Sequence, residues 1–286
     1  MPALKEQLAA GSLVLAPGCY DLVSARVLRG SGYLTGYLTP FGYQATTPAP
    51  GRTASTAWRR MVTTAQTLVS ETGLALIADA HSGIEGSRGP KALISDIESA
   101  GAQAIIVEDR IGLGPASRLR TTRSMLRHID AIRAARTGDC LIIARSDTVR
   151  VSLGEAIDRC ATYLEAGADL VMPLMNPYLE FPRQQIQPQA RLGPYRSLAS
   201  GLPAAQVVVH SPHGRHLPVE LARELGFGVY LMPQLLVAAA VAGMQKVLAE
   251  HAGATDGADE PADTELLDPV PLARLLTVDS WLQARW

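Results

Sequence analysis

Charged and histidine side chains stand at the ends of several short apolar runs in this sequence. Asp79 and His81 follow one run, Glu108 ends a second, and Arg145 closes a third. Converging carboxylates and imidazoles are typical of metal ligands. A guanidinium at the end of an apolar strand is costly to bury without an anion. These residue types therefore predict a site that binds an anion, a metal ion or both.

Other polar and aromatic residues occupy equivalent places after the apolar runs. They are candidates for substrate contacts: Tyr20, Thr39, Phe41, Gly42, Arg110, Arg145, His210 and His213. The spacing of His210, His213 and His216 is compatible with metal chelation, but it is more often that of a polar loop. Of the adjacent acids Glu108 and Asp109, strand alternation lets one face the site, and we favour Glu108.

The elements that must position these residues follow a regular alternation of short β-branched runs and longer amphipathic segments, typical of parallel βα units. The eight predicted strands are 13–16, 33–39, 75–80, 104–108, 141–145, 170–173, 206–209 and 228–232. Glycines at 101, 167 and 226 stand where helices should end before the next strand. An open doubly wound sheet is the alternative, but residues 17–21 do not form a glycine-rich phosphate turn. We expect an α/β fold, a (β/α)8 TIM-type barrel, which gathers the carboxyl ends of its strands at one mouth.

Composition narrows the class of protein. A length of 286 residues fits one barrel. With 47% hydrophobic residues and a net charge of -1, the sequence shows no excess of basic residues that would favour binding to nucleic acid or an anionic membrane. Three dispersed cysteines suit core thiols rather than disulfides or a zinc site. The longest apolar helix, 235–247, is too short to cross a bilayer. With no signal peptide recognised, we expect a soluble cytoplasmic protein whose partner is small or another copy of itself.

The chain is predicted to have three parts: a barrel over 1–251, an acidic linker over 252–271 and a C-terminal helical segment over 272–286. The linker carries six acidic residues and no basic one. The last segment carries Trp281 and Trp286, whose exposure on a monomer would favour aggregation. We expect it to pack on a neighbouring subunit of a homo-oligomer, a tetramer; the alternative is that it folds back on its own barrel.

Four ordered motifs carry a family resemblance: residues 17–26, 77–83, 107–109 and 142–147. Together with 165–169 and the segment near 230–233, they are similar to successive signatures of the isocitrate lyase / phosphoenolpyruvate mutase superfamily. The resemblance covers most of residues 10–250. It implies Mg²⁺-dependent chemistry on small 2-oxo or 2-hydroxy acids, in which C–C or C–P bonds are made or cut through an enolate-like intermediate.

The resemblance also implies roles for individual residues. Asp79 would hold the metal directly, Glu108 would act in its outer shell, and Arg145 would pair with a substrate carboxylate. His81 stands where the family usually has a second aspartate, and it is a candidate metal ligand or acid/base group. The catalytic candidates are therefore Asp79, His81, Glu108 and Arg145, and the metal candidates are the first three.

Departures from the family pattern point to a remodelled pocket. Gly51 stands where the family has an aspartate, and Leu174 where it has a glutamate. Because His81 and Gly51 replace oxygen ligands, another divalent metal, or none, is an alternative to Mg²⁺. The loop 110–117 lacks the cysteine of the lyase branch and the lysine and asparagine of the mutase branch.

Three functions follow as hypotheses. The preferred one is a lyase-type enzyme that cleaves or forms a C–C bond in a small 2-oxo or 2-hydroxy acid. The first alternative is a C–P bond mutase or hydrolase, in which Arg110 would help to hold a phosphonyl group. The second is a barrel that has lost catalysis and binds a small molecule.

Overall fold

The computed structural model describes residues 2–46, 54–80, 89–111, 117–148, 152–175, 192–203, 206–209 and 217–252. It contains the following strands: β1 (Val14–Cys19), β2 (Thr35–Leu38), β3 (Ala75–Asp79), β4 (Ala104–Glu108), β5 (Arg110–Ile111), β6 (Arg118–Leu119), β7 (Leu141–Ser146), β8 (Leu170–Pro173), β9 (Val207–Val209) and β10 (Val229–Met232). The helices are α1 (Leu4–Ala9), α2 (Leu22–Gly30), α3 (Pro40–Thr46), α4 (Ala54–Thr72), α5 (Gly89–Ser99), α6 (Thr122–Ala135), α7 (Leu153–Glu165), α8 (Gly193–Gly201), α9 (Val219–Glu224) and α10 (Leu235–Ala252).

Eight of the strands form one parallel sheet in the order β8-β7-β4-β3-β2-β1-β10-β9. The bridge pair Val171–Gln206 links β8 to the residue before β9, so the sheet curls back on itself. Strands β5 and β6 form a separate antiparallel hairpin. The architecture is the predicted (β/α)8 barrel, nearly closed.

Two apolar cores result from strand alternation. One set of side chains faces the helices, and the other fills the barrel interior with residues such as Val14, Ile77, Ile106 and Ile143. Interiors of such barrels are packed cores rather than pores. A polar side chain that points inward at the carboxyl end of a strand therefore lies directly above apolar interior residues.

Helix α1 closes the opposite, amino-terminal end of the barrel. Its residue Leu4 is fully buried among the interior side chains, and Leu8 packs against them. The Leu4 N–H donates to Gln103 (2.6 Å) and the Thr35 hydroxyl donates to Gln7 (2.9 Å), which fix the helix to the strand ends. The sequence analysis did not predict α1, and it also missed α3 and the β5–β6 hairpin.

The predicted strands and helix-ending glycines are confirmed for the described residues. All eight barrel strands lie at or near the predicted places; β1 begins at Val14 and continues to Cys19, beyond the predicted end. Gly101, Gly167 and Gly226 have positive φ angles of 77°, 97° and 78°, which favour glycine at a helix end.

The three cysteines are free, buried thiols. Burial raises the pKa of Cys19 to about 12. In the described part of the chain, no helix is long and apolar enough to cross a membrane. Helix α10 runs to Ala252, the first residue of the predicted linker, and the segment 272–286 lies outside the described residues.

Candidate active site

Four polar side chains project into the barrel from the carboxyl halves of four neighbouring strands. Tyr37 comes from β2, Asp79 from β3, Glu108 from β4 and Arg145 from β7, and each shares its strand face with the apolar interior residues. Asp79 and Glu108 are 1% and 0% exposed. The four residues form a charged layer on top of an apolar interior, which lowers the effective dielectric around them.

Asp79 has one engaged and one available carboxylate oxygen. The Tyr37 hydroxyl donates to Asp79 Oδ2 (2.5 Å). Asp79 Oδ1 is buried and has no hydrogen-bond partner among the described residues. Burial, followed by the Asp79 charge, raises the pKa of Tyr37 well above its ordinary value. Tyr37 therefore stays a donor at neutral pH and holds the carboxylate with Oδ1 unengaged.

Arg145 forms a two-pronged contact with Asp147. Its Nε donates to Asp147 Oδ1 (2.7 Å) and its Nη2 to Asp147 Oδ2 (3.1 Å), while Nη1 lies 3.2 Å from Glu108 Oε2. Burial alone would lower the pKa of Arg145, but the Glu108 and Asp147 carboxylates raise it above its ordinary value. The guanidinium is thus a permanent cation.

Arg110 joins this network from the first residue of the hairpin. Its Nε lies 3.3 Å from Asp147 Oδ2 and 3.8 Å from Glu108 Oε1, and its side chain is 20% exposed. The structure therefore brings Asp79, Glu108, Arg110 and Arg145 together.

Asp109, the neighbour of Glu108, is buried on the other side of the strand. Its carboxylate accepts a hydrogen bond from Tyr163 of α7 (3.0 Å), outside the barrel interior. Of the two adjacent acids, Glu108 faces the site, in the orientation that strand alternation favours.

The remaining candidates from the first two strands lie close to one another. Tyr20 and Thr39 are buried, and a side chain at Gly42 would collide with both of them. Gly42 is therefore needed for the close approach of α3 to Tyr20. Phe41, in contrast, is 56% exposed, so its ring stands on the rim rather than inside.

The histidine candidates lie outside the described residues. This applies to His81, His210, His213 and the altered position Gly51. Leu174 is described: its N–H donates to the Ser146 carbonyl (2.9 Å), and it follows β8 directly.

Comparison with known proteins identifies the family. The family model of phosphoenolpyruvate phosphomutase matches residues 4–252. The chain belongs to this family. Membership confirms the resemblance carried by the four motifs, and it places the chain in the isocitrate lyase / phosphoenolpyruvate mutase superfamily.

Relatives within the superfamily act on different bonds. The 2,3-dimethylmalate lyase of Eubacterium barkeri is 28% identical over 175 residues, which are 59% of this chain and 61% of that enzyme. The chloroplastic carboxyvinyl-carboxyphosphonate phosphorylmutase of Arabidopsis thaliana is 26% identical over 290 residues, covering 96% of this chain and 81% of that protein. The match to the lyase thus spans less than two thirds of its length.

A solved structure gives the same fold. Phosphonopyruvate hydrolase in complex with oxalate and Mg²⁺ superimposes with a TM-score of 0.80 at 22% identity, covering 98% of this chain and 95% of the hydrolase. At this identity the likeness supports the fold alone.

The described residues fit a water-rich divalent site better than a closed protein cage. No group of three or more histidine, cysteine or acidic side chains with metal-binding geometry occurs among them. Mg²⁺, however, keeps several waters and uses one or two carboxylates plus substrate oxygens. The unengaged Asp79 Oδ1 would supply one such ligand, and Glu108 is a second carboxylate in the same layer.

Two residues of this candidate site, Tyr37 and Asp147, were not among the candidates from the sequence. Tyr37 has the pattern of an ordinary strand aromatic, and Asp147 stands there only as the last residue of the motif 142–147. The period of two was the available signal for Tyr37, because Tyr37 and Thr39 share a strand face. For Asp147 no spacing rule applies, since it follows the last strand residue.

Proposed function

We propose that this protein is an enzyme that cleaves or forms a C–C bond in a small 2-oxo or 2-hydroxy carboxylic acid, through an enolate-like intermediate. The observation that carries the proposal is the buried layer of Tyr37, Asp79, Glu108 and Arg145 at the carboxyl end of the barrel. In this fold, that end is where active sites lie.

Arg145 is the proposed anchor for a substrate carboxylate. Of the five N–H groups of its guanidinium, two donate to Asp147. Three remain, one on Nη2 and two on Nη1, which lies 3.2 Å from Glu108 Oε2. The Nη1–Nη2 edge can therefore present parallel donors to a carboxylate while Asp147 holds the adjacent Nε–Nη2 edge, which is the two-pronged geometry that arginine provides and lysine does not.

The charge of the layer favours a divalent cation together with an anionic substrate. Asp79, Glu108 and Asp147 carry three negative charges against two positive charges on Arg110 and Arg145. Adding a carboxylic acid anion to this buried excess is unfavourable without a cation. We infer that Asp79 would hold Mg²⁺ directly and that Glu108 would act in its outer shell. The chemistry supplied by the bound ion would be stabilisation of the negative oxygen of an enolate.

The chain's own residues orient and protect the reaction. Tyr37 keeps its proton and fixes Asp79 Oδ2, so the carboxylate cannot rotate away from the substrate side. The apolar interior below and the buried surroundings exclude water from the base of the site. Such exclusion protects an enolate from unwanted protonation.

A second candidate is cleavage or rearrangement of a C–P bond. Arg110 favours it, because this partly exposed guanidinium lies beside Asp147 and Glu108 where it could pair with a phosphonyl group. The relative from Arabidopsis thaliana, a phosphorylmutase, also supports this candidate.

The test is a substrate panel followed by nuclear magnetic resonance. Proton spectra measure the consumption of small 2-oxo and 2-hydroxy mono- and dicarboxylates in the presence of MgCl₂. Phosphorus spectra measure the consumption of phosphonopyruvate. Consumption of a carboxylate with release of two carbon-containing fragments supports the lyase. Release of phosphate, or conversion of the phosphonate signal to that of a phosphate ester, supports the alternative. Purified protein that holds no divalent ion and turns over neither class would favour the non-catalytic binding barrel.

His81 provides a test of the metal. If His81 lies beside the cation, His81→Asp should raise Mg²⁺ affinity, because an anionic oxygen replaces a neutral nitrogen. Calorimetric titration of MgCl₂ into both forms measures this. Equal affinities would remove position 81 from the ligand set.

We also propose that the protein is a homo-oligomer, a tetramer, in the reducing cytoplasm that suits its buried thiols. The second half of α10 supports self-association, since Val241, Met244 and Leu248 are 44%, 57% and 69% exposed on the single chain. The proposed partner of this surface is the segment 272–286 of a neighbour. Truncation after Glu250 should reduce the mass measured by light scattering, and an unchanged oligomer of unchanged stability would refute this role.

A further inference from the structure

Asp109 is a buried carboxylate that the proposed reaction does not use. It lies directly after β4, is 0% exposed, and points away from the barrel interior. Its own backbone is fixed on both sides, because its N–H donates to the Arg145 carbonyl (3.0 Å) and its carbonyl accepts from the Arg120 N–H (2.6 Å). A carboxylate buried at this position is costly unless other groups compensate its charge and bind its oxygens.

The carboxylate of Asp109 binds all three residues that follow Arg145 in the chain. Oδ1 accepts the Asp147 N–H (2.9 Å), and Oδ2 accepts the hydroxyls of Ser146 (2.7 Å) and Thr148 (3.2 Å). Each of these three residues is at most 1% exposed. One side chain therefore fixes the Asp147 backbone and the hydroxyls on either side of it.

A second set of contacts holds Asp109 from outside the barrel. Tyr163 donates to Oδ2 (3.0 Å), and Arg159 Nη1 lies 3.7 Å from the same oxygen. Arg159 also donates to the Arg120 carbonyl (2.8 Å), which ties α7 to the residue that follows β6. The negative charge is thus compensated and the carboxylate cannot turn.

From Asp109 the contacts lead to the proposed substrate anchor. Asp109 fixes the Asp147 backbone, and the Asp147 carboxylate holds the Nε–Nη2 edge of Arg145. Rotation of Asp147 would release this edge and let the guanidinium turn toward Glu108. The direction of the remaining donor edge of Arg145 depends on Asp109.

We propose that Asp109 is a positioning residue that sets the orientation of Arg145 for a carboxylate ligand, acting through Asp147. This inference rests on the proposed function in one respect, namely that Arg145 binds the carboxylate. Supporting groups one contact removed from a binding residue typically change affinity or activity about 10- to 100-fold when they are removed.

The matched control is Asp169, which lies just before β8 and contacts the amino-terminal end of β7. Its carboxylate accepts the Ile142 N–H (2.8 Å) and pairs with Arg136 (2.6 Å), so it also fixes β7, but at the amino-terminal end. Asp169→Ala should lower stability without moving Arg145. A merely structural role for Asp109 would make the two variants alike.

Two measurements test the proposal, with oxalate in the presence of MgCl₂ as the probe. Calorimetry should show oxalate affinity about 10- to 100-fold weaker in Asp109→Ala, partly recovered in Asp109→Asn, and unchanged in Asp169→Ala. Recovery is expected because the asparagine oxygen still accepts the Asp147 N–H. It is partial because the amide nitrogen has two N–H donors for the hydroxyls of Ser146, Thr148 and Tyr163, and it loses the attraction to Arg159. In an Arg145→Lys background, Asp109→Ala should have little further effect, since both act on one contact.

The second measurement needs no ligand. The Arg145 Nε–H resonance, assigned by its loss in Arg145→Lys, should lose protection from hydrogen exchange in Asp109→Ala and keep it in Asp169→Ala. If Asp109→Ala does not fold, Ser146→Ala removes the shortest contact of the Asp109 carboxylate and should act in the same direction, more weakly.

The outcomes separate this proposal from the function itself. Unchanged Nε–H protection, or oxalate binding that needs Arg145 but not Asp109, would overturn the positioning role. Failure of the wild-type protein to bind oxalate would count against the proposed function, while the exchange measurement would still decide whether Asp109 positions Arg145.

Discussion

The two ends of the barrel carry opposite kinds of side chain on the same strands. At the amino-terminal end, the first inward-facing residues of β3, β4 and β7 are Ala75, Ala104 and Leu141, and Leu4 of α1 covers them. At the carboxyl end, the same strands point Asp79, Glu108 and Arg145 inward. The apolar end can contribute to stability alone, whereas the charged end is costly to bury and implies a ligand. Substitutions at the two ends should therefore separate activity from stability.

The largest expected effect is on turnover, at the charged end. Asp79→Asn keeps the shape and the contact with Tyr37 but removes the charge that would hold a cation. Turnover in the substrate panel should fall by about 10²- to 10³-fold, with little change in thermal unfolding. Asp130→Asn, in an exposed ion pair with Arg133, is the control; equal activity in both variants would exclude Asp79 from the reaction.

The next effect is on stability, at the apolar end. Leu4→Ala leaves a cavity under the barrel and should lower the free energy of unfolding by about 2 to 5 kcal/mol, while oxalate affinity per folded molecule stays the same. Val23→Ala, at a position that is 53% exposed, should change stability by less than about 0.5 kcal/mol. Urea denaturation measures both. A Leu4 variant as stable as the wild type would show that α1 does not seal the barrel.

Arg145→Lys tests the charged end of β7 against the apolar end of the same strand. The charge remains but the two-pronged donor edge is lost, so oxalate affinity should fall by about 10- to 100-fold, the equivalent of about 1.5 to 3 kcal/mol, without unfolding. Arg136→Lys changes the arginine that pairs with Asp169 at the other end of the strand. Calorimetry should find the oxalate affinity of Arg136→Lys unchanged. Equal losses of affinity in the two variants would mean that affinity depends on the stability of the protein rather than on the contact between Arg145 and oxalate.

The smallest effect concerns Glu98, which binds the loop leading into β7 at the apolar end. Partial burial raises its pKa, but the N–H groups of Thr137 and Gly138 outweigh this and lower the pKa below its ordinary value. A lowered folded-state pKa stabilises the protein above the unfolded-state pKa, and the contribution is lost as pH falls through the folded-state value. Glu98→Gln should therefore cost less than about 1 kcal/mol near pH 7, given the partial exposure. Urea denaturation at several pH values should show this difference vanish in acid; a constant difference would contradict it.

The contrast between the ends also explains what the sequence could predict. Strands were predictable because β-branched runs and helix-ending glycines such as Gly167 are local signals. Asp79, Glu108 and Arg145 were predictable because a charge that ends an apolar run is conspicuous. Tyr37 has the sequence pattern of a buried core aromatic. The role of Asp147 depends on the contact between its carboxylate and the Arg145 guanidinium, and no local sequence pattern encodes that contact. Helix α1 has six residues, too few for a clear periodic pattern.

The most direct test of the central claim is a crystal structure of the protein grown with oxalate and MgCl₂. We expect a cation on Asp79 Oδ1 and a carboxylate of oxalate on the Nη1–Nη2 edge of Arg145, with Asp147 still on the adjacent Nε–Nη2 edge. Oxalate bound elsewhere, or an Arg145 whose donors all remain on Glu108 and Asp147 at saturating oxalate, would contradict it.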